Sequence, residues 1–337
     1  MNLPEGFLRD RVLARYRKVM DVDDDMNMLA VTSGPTAGRV WASVPDDSKV
    51  VDRKPVALRE ILSYPGTERL FDDLLDRYTT GSISGVQPKV VVPQASPRRG
   101  HVAKSAIKSP DLIVKSAGDQ YPGLAENEFL CMSIARHVGL ETPAFHLSDD
   151  RNLFVVERFD LGPHGYLGFE DLAALTGRHP SRKYEGAYSD IAKAISFNVA
   201  PVKRASSLRS LFIVMSVNCI VRNGDAHLKN FGVLYGDPQS AHRDARLAPV
   251  YDLICSTLYI RGDVLALGMG GEKSWPSRKV LERFGTQSCE VHNSAKVLDE
   301  VIERSMDFKP PDPASRVWRL LRGEMERSVL GLRATGK

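Results

Sequence analysis

The stretch CIVRNGDAHLKNFGVLY, Cys219 to Tyr235, sets a charged, amide-rich octet, Asn223 to Asn230, between an apolar run ending at Val221 and another starting at Phe231. Buried elements do not carry that many polar groups unless the groups are paired or perform chemistry, and a loop rising out of a rigid core is where functional groups are usually held. The chain must therefore build a buried helix, a polar loop and a strand in immediate succession. Periodicity assigns the helix to SSLRSLFIVMSVNCIV and the strand to FGVLY.

The rest of the chain falls into three expected segments. In residues 1–80, Leu8, Val12 and Tyr16 share one helical face and Leu70, Leu74 and Leu75 another, around a short strand in GRVWASV, which predicts a small mixed lobe. The acidic cluster Asp21 to Asp25 reads as a solvated loop or a first helical turn and receives no role. From Ser82 the pattern changes to strands, KVVV at 89–92, DLIVK at 111–115 and NLFVVERF at 152–159, with one helix, LAENEFLCMSIARHVG, between the last two. Residues 81–160 are thus expected to form a sheet crossed by one helix, with the basic stretch PRRGHVAKSAIK as an exposed hairpin tip, or else a contact for nucleic acid or an acidic partner. Residues 161–337 are mostly helical and end in DPASRVWRLLRGEMERSVLGL, where Asp312 and Pro313 supply start signals.

With 337 residues and 42% hydrophobic content, the chain is long enough for two lobes with a real core. A formal net charge of +4 is weak evidence for nucleic acid and no evidence for a long basic tail, so a soluble globular protein is the expectation. Cys131, Cys219, Cys255 and Cys289 are scattered singly, so neither a zinc site nor a disulfide framework is suggested, and a reducing cytoplasm is the expected location. The opening MNLPEGFLRDRV lacks the apolar centre of a signal peptide, and no apolar run has the length of a membrane span.

Asp225 and Asn230 lie five apart in NGDAHLKN. In phosphoryl transfer an aspartate orients or accepts the proton of the attacking hydroxyl, and an amide oxygen a few residues on completes a magnesium shell, which this spacing offers. The strand then turns and returns as RLAPV before Tyr251 and Asp252. A hairpin's open ends are neighbours, so Asn230 and Asp252 are expected to converge as a metal pair beside Asp225. His227 is expected to steady this catalytic loop by hydrogen bonding rather than to act as a base. Lys229 either reaches the transferring phosphate or points to water. The tripeptide HRD, His242 to Asp244, resembles a kinase catalytic loop, but the residue five beyond Asp244 is Pro249, and a chance match in a polar turn is the expectation.

A second constellation is GSISGVQPK, Gly81 to Lys89, a glycine-containing turn before a strand that lets backbone N–H groups approach phosphate oxygens. Lys115 ends DLIVK and is a candidate for pairing with phosphate, or else a solvated strand end. Glu128, flanking the apolar face of the following helix, is the expected partner that orients Lys115. The segment FVVERFD runs from a buried strand into charge, where its backbone can meet an adenine edge.

Taken in order, SISGVQPK, LIVK, AENEF, VERFD, NGDAHLKN and APVYDL resemble the HipA family of bacterial toxin kinases. The resemblance implies an α+β, two-lobed, protein-kinase-like fold that binds ATP and Mg2+ and phosphorylates serine or threonine on proteins, notably aminoacyl-tRNA synthetases. It implies Asp225 as catalytic aspartate, Asn230 and Asp252 as metal ligands and Lys115 as the phosphate-binding lysine. It sets Ser84, Gly85, Val86, Gln87, Pro88 and Lys89 on the phosphates, Glu157, Arg158 and Phe159 at the adenine, and Leu228, Lys229 and Tyr251 bordering the nucleotide. The opening NLPEGF and the serine pair Ser82 and Ser84 resemble the short HipT branch, which implies autophosphorylation at those serines. It also implies a helix-turn-helix, HipB-like antitoxin and a small HipS-like protein as partners, with DNA met only through the antitoxin. Two other functions stay open: a small-molecule phosphotransferase of the aminoglycoside or choline kinase type, and a kinase-like module without catalysis that sequesters a DNA-binding partner.

Overall fold

The computed structural model describes residues 9, 13, 24–31, 34–35, 37–42, 55–66, 69–71, 73–74, 89–93, 111–116, 121–162 and 165–333. The chain divides into two compact units, 1–126 with 144–167, and 127–143 with 168–337. The expected faces at Leu8, Val12 and Tyr16, the Leu75 side chain, the stretch PRRGHVAKSAIK and the loop residues Ser82 to Pro88 lie outside the described residues.

In the first unit, helices α1 (Asp25–Val31) and α2 (Leu58–Leu62) flank two short paired strands, β1 (Gly34–Pro35) and β2 (Trp41–Ala42). The main sheet contains β3 (Lys89–Pro93), β4 (Asp111–Ser116), β5 (Phe145–Leu147) and β6 (Leu153–Glu157) in the order β3-β4-β6-β5, antiparallel throughout. Side chains alternate between faces of a strand. Leu112 and Val114 of β4 therefore join Leu153 and Val155 of β6 in one core with Ile61, Leu70, Phe71 and Leu74. The opposite parity carries Lys115 and Phe154, which are register partners. The hairpin β7 (Leu161–Gly162) and β8 (Gly165–Tyr166) closes the unit. Helix α3 (Leu124–Val138) contains the boundary between the two units.

The second unit opens with β9 (Gly168–Asp171) and α4 (Leu172–Leu175), whose first turn is capped by the Asp171 carboxylate accepting from Ala174 N at 2.9 Å. Helices α5 (Tyr188–Asn198) and α6 (Pro201–Val221) follow. The start of α6 is exposed through Ser206, whereas almost every residue from Leu211 to Val221 is buried. A helix apolar on all sides belongs in a core, and α6 is packed by α5, α9 (Ser294–Asp307) and α10 (Arg316–Arg333). Its 21 residues have the length and hydropathy of a membrane span, but 67% of that window is buried within the protein. After α6, β10 (Gly232–Tyr235), the four-residue helix α7 (Ala241–Asp244) and β11 (Arg246–Leu247) form a hairpin that pairs with β9. Helix α8 (Arg278–Arg283) comes before α9.

HRD occupies α7 rather than an open turn. Asp244 there accepts from Gly236 N at 2.8 Å and so ties the ends of the connection together, a structural role.

Candidate active site

The polar octet begins where α6 stops. Arg222 takes the left-handed conformation, φ 60° and ψ 50°, and its N–H closes on Asn218 O as the helix cap. Asn223 is buried, donates from Nδ2 to Asn218 Oδ1 at 2.7 Å, and accepts from Asp225 N at 3.1 Å. Gly224 N donates to Ser256 Oγ at 2.7 Å, and Ser256 Oγ donates to Arg222 O at 3.1 Å. A Cβ on Gly224 would stand 2.2 Å from Asp263 Oδ2 and 2.5 Å from Val264 O, so only glycine admits this approach. Asp225 is thereby presented on a backbone fixed on both sides.

The remaining octet is equally constrained. His227 N donates to Asp225 O at 2.8 Å and to Asn230 Oδ1 at 3.0 Å, and Leu228–Asn230 forms one 3-10 turn. Asn230 Nδ2 donates to Asp252 Oδ2 at 2.9 Å, bringing together two residues 22 apart in sequence. The hairpin carries the convergence, with Val233 opposite Leu247. Tyr251, whose hydroxyl donates to Lys229 O, packs edge-on to Phe169 at 5.8 Å and anchors the segment bearing Asp252.

Burial pushes the Asp225 carboxyl up to about 6, with Asp252 and Asp263 adding repulsion, against the hydrogen bond from Tyr184 and the charge of Lys183. Burial, helped by Lys183, lowers His227 to about 4, so its ring is neutral at physiological pH. Neutral and buried, His227 contributes as a packed ring against Tyr184, centroids 5.1 Å apart, while its backbone N–H fixes the loop. Leu228 and Lys229 are buried as well, and Leu228 N donates to Lys183 O at 3.2 Å.

Asn230 turns Nδ2 to Asp252 and Oδ1 to His227 N, so a divalent cation held by this pair would take a carboxylate oxygen of Asp252 and the remaining lone pair of Asn230 Oδ1. Hard oxygen donors in that number suit Mg2+, which keeps waters and substrate phosphates in its remaining positions. Among the described residues no group of three or more His, Cys, Asp and Glu forms a cage.

In the first unit, Lys115 is buried at 4% exposure rather than solvated, with Nζ 5.7 Å from the Phe154 ring centroid. Register sets Lys89 opposite it. Glu157 ends β6 and donates its N–H to Ala144 O at 2.8 Å. The Arg158 guanidinium is committed to Asp160, Nε to Oδ1 at 2.8 Å, and lies 4.8 Å from the Tyr166 ring. Glu128 is fully buried in α3.

Several residues joined to the loop carry no signal in the sequence reading. Tyr184 donates to Asp225 Oδ1 at 2.8 Å. Asn127 grips the chain three residues beyond Asp252, Nδ2 to Cys255 O at 3.0 Å and Cys255 N to Oδ1 at 2.9 Å. Arg222 stacks on Trp275 at 4.8 Å and lines a cavity of about 510 Å3 with Tyr259, Asp263, Trp275 and Glu324.

An octet ordered in this way, on a chain with a four-stranded antiparallel sheet in one unit and a helical core in the other, defines a kinase-like α+β protein. The HipA-like C-terminal domain matches residues 81–308, more than half of the chain, and the protein belongs to that family. Two Sinorhizobium fredii proteins named as candidate kinases are similar: Y4dM is 33% identical over 177 residues, covering 48% of this chain and 41% of its own, and Y4mE is 26% identical over 261 residues, covering 70% and 59%. A candidate kinase of Haemophilus influenzae is 29% identical over 195 residues, 53% of each chain. The matched region thus spans about half the length of these relatives. HipA of Shewanella oneidensis, solved with HipB and operator DNA, superposes with a TM-score of 0.71 at 19% identity over 98% of this chain and 84% of its own, a likeness of fold.

Proposed function

We propose that this chain transfers the γ-phosphate of ATP to a serine or threonine hydroxyl of a protein, as the toxin of a toxin–antitoxin pair. The observation that carries this reading is the hydrogen bond between Asn230 and Asp252 at 2.9 Å, on a loop whose other end presents Asp225. A structural turn has no need of all three groups. In the proposed reaction Asp225 accepts the proton of the acceptor hydroxyl while that oxygen bonds the γ-phosphorus and the bond to the β–γ bridging oxygen breaks. Asn230 and Asp252 would hold Mg2+, and the ion would supply neutralisation of charge on the phosphates. The family resemblance assigns Lys115 and residues 84–89 to those phosphates.

The finer assignments rest on the family resemblance. They are an aminoacyl-tRNA synthetase as target, autophosphorylation at Ser82 or Ser84, and a HipS-like small partner. A HipB-like antitoxin is supported by the solved complex of the Shewanella protein. Asp225→Asn and Asp252→Ala should each lower phosphotransfer roughly 100- to 10,000-fold and relieve growth arrest on expression. The check is labelling of lysate proteins with γ-labelled ATP, and undiminished labelling by both variants would overturn the assignment.

A further inference from the structure

Asp225 already carries a hydroxyl. Tyr184 lies in the loop between the turn Pro180–Arg182 and α5, and its phenol donates to Asp225 Oδ1 at 2.8 Å. That is the contact a serine or threonine acceptor must make before its proton can pass to the carboxylate. Tyr188, four residues on, shows what a structural tyrosine looks like here. It is fully buried and donates to a backbone carbonyl, Ala226 O, at 3.0 Å. Tyr184 is 40% exposed and donates to the functional oxygen instead.

The backbone beneath Tyr184 is tied down. Lys273 Nζ donates to its carbonyl at 2.9 Å, Glu185 N to Arg182 O at 3.1 Å, and Gly268 N to Gly186 O at 3.0 Å. Gly186, at φ 105°, supplies the left-handed turn that lets the chain enter α5. The ring meets the His227 ring edge-on and lies 5.3 Å from Lys183 Nζ, on its way to solvent. A side chain so placed can leave Asp225 by rotating about χ1 while the loop stays put.

We propose that Tyr184 holds the seat of the acceptor hydroxyl on Asp225, keeping water from that seat until a protein hydroxyl displaces it. This rests on the phosphotransfer reading above. Were water to occupy the seat, its oxygen would bond the γ-phosphorus, its proton would pass to Asp225, and ATP would be lost as ADP and phosphate. The phenol excludes that reaction.

The test uses the full chain with MgATP and no added acceptor. Tyr184→Phe, which keeps the ring and removes the hydroxyl, should raise phosphate release about two- to tenfold, the net worth of one hydrogen bond expressed as a population. ATP affinity should be unchanged, and Tyr184→Leu should behave alike. Adding Asp225→Asn to Tyr184→Phe should return release to background. A residue that merely positions Asp225 would give the opposite sign, so equal or slower release in both Tyr184 variants overturns the proposal, as would phosphate found on Tyr184 itself. If Asp225→Asn leaves wild-type transfer intact, the phosphotransfer reading falls and takes this one with it. If that variant is dead and Tyr184→Phe is not faster, only the role of Tyr184 falls.

Discussion

Asp225 is held in surroundings that oppose its charge. A folded-state value of about 6, above the ordinary 3.8, means that the carboxylate takes up a proton as pH falls through 6. Its capacity to accept a proton is therefore present above that pH and lost below it. Phosphotransfer should fall about tenfold per pH unit on the acid side of 6, with His227 adding no limb above its own value of about 4. A pH profile of transfer at saturating ATP checks this. The same shift has a cost in stability, because ionised Asp225 disfavours the fold wherever the folded protein would rather bind the proton. Asp225→Asn is expected to raise stability on the order of 1–2 kcal/mol at pH 8, with the gain fading between pH 6 and pH 4. Thermal melts at the two pH values measure it, and an Asp225→Asn protein that is less stable at pH 8 would show that Asp225 is not strained.

At the scale of elements, the loop is held from two directions. Helix α3 contributes Asn127, fully buried, which donates to and accepts from the backbone of Cys255 like an added strand. Asn127→Leu leaves a buried N–H and a buried carbonyl without that partner, at about 1–3 kcal/mol for each group. Urea unfolding should show the loss, and transfer should drop because the segment carrying Asp252 loosens. Helix α6 holds the loop from the other end through Arg222, Asn223 and Gly224. Gly224→Ala forces a Cβ into the Asp263 carboxylate and the Val264 carbonyl, an overpacking that costs about 1–3 kcal/mol. That variant should fold with reduced stability and transfer poorly.

Across the whole molecule, all four cysteines lie in the second unit and all are buried with free thiols. Burial pushes Cys219 up to about 12 and Cys255 up to about 11, so thiolate is scarce as well as inaccessible. Cys131, Cys219, Cys255 and Cys289 should ignore a thiol reagent in the native protein and react together once denaturant opens the second unit. Labelling followed by peptide mapping reads this directly, and a thiol that reacts early would mark a part of that unit that opens by itself.

Features under short-range control could be read along the chain. The helix, polar loop and strand around Asn223 to Asn230 follow from hydrophobic period, and the meeting of Asn230 with Asp252 follows from hairpin closure, since a returning strand must bring its ends together. The alternation that buries Leu112 and Val114 was equally legible. The long-range contacts came with packing: Tyr184 reaches Asp225 across 41 residues and Asn127 reaches Cys255 across 128. Packing likewise buries Lys115 and pairs Arg158 with Asp160. No local period marks such residues. A polar side chain on a loop looks the same in sequence whether it meets water or a carboxylate, and the difference is made by which distant backbone folds over it.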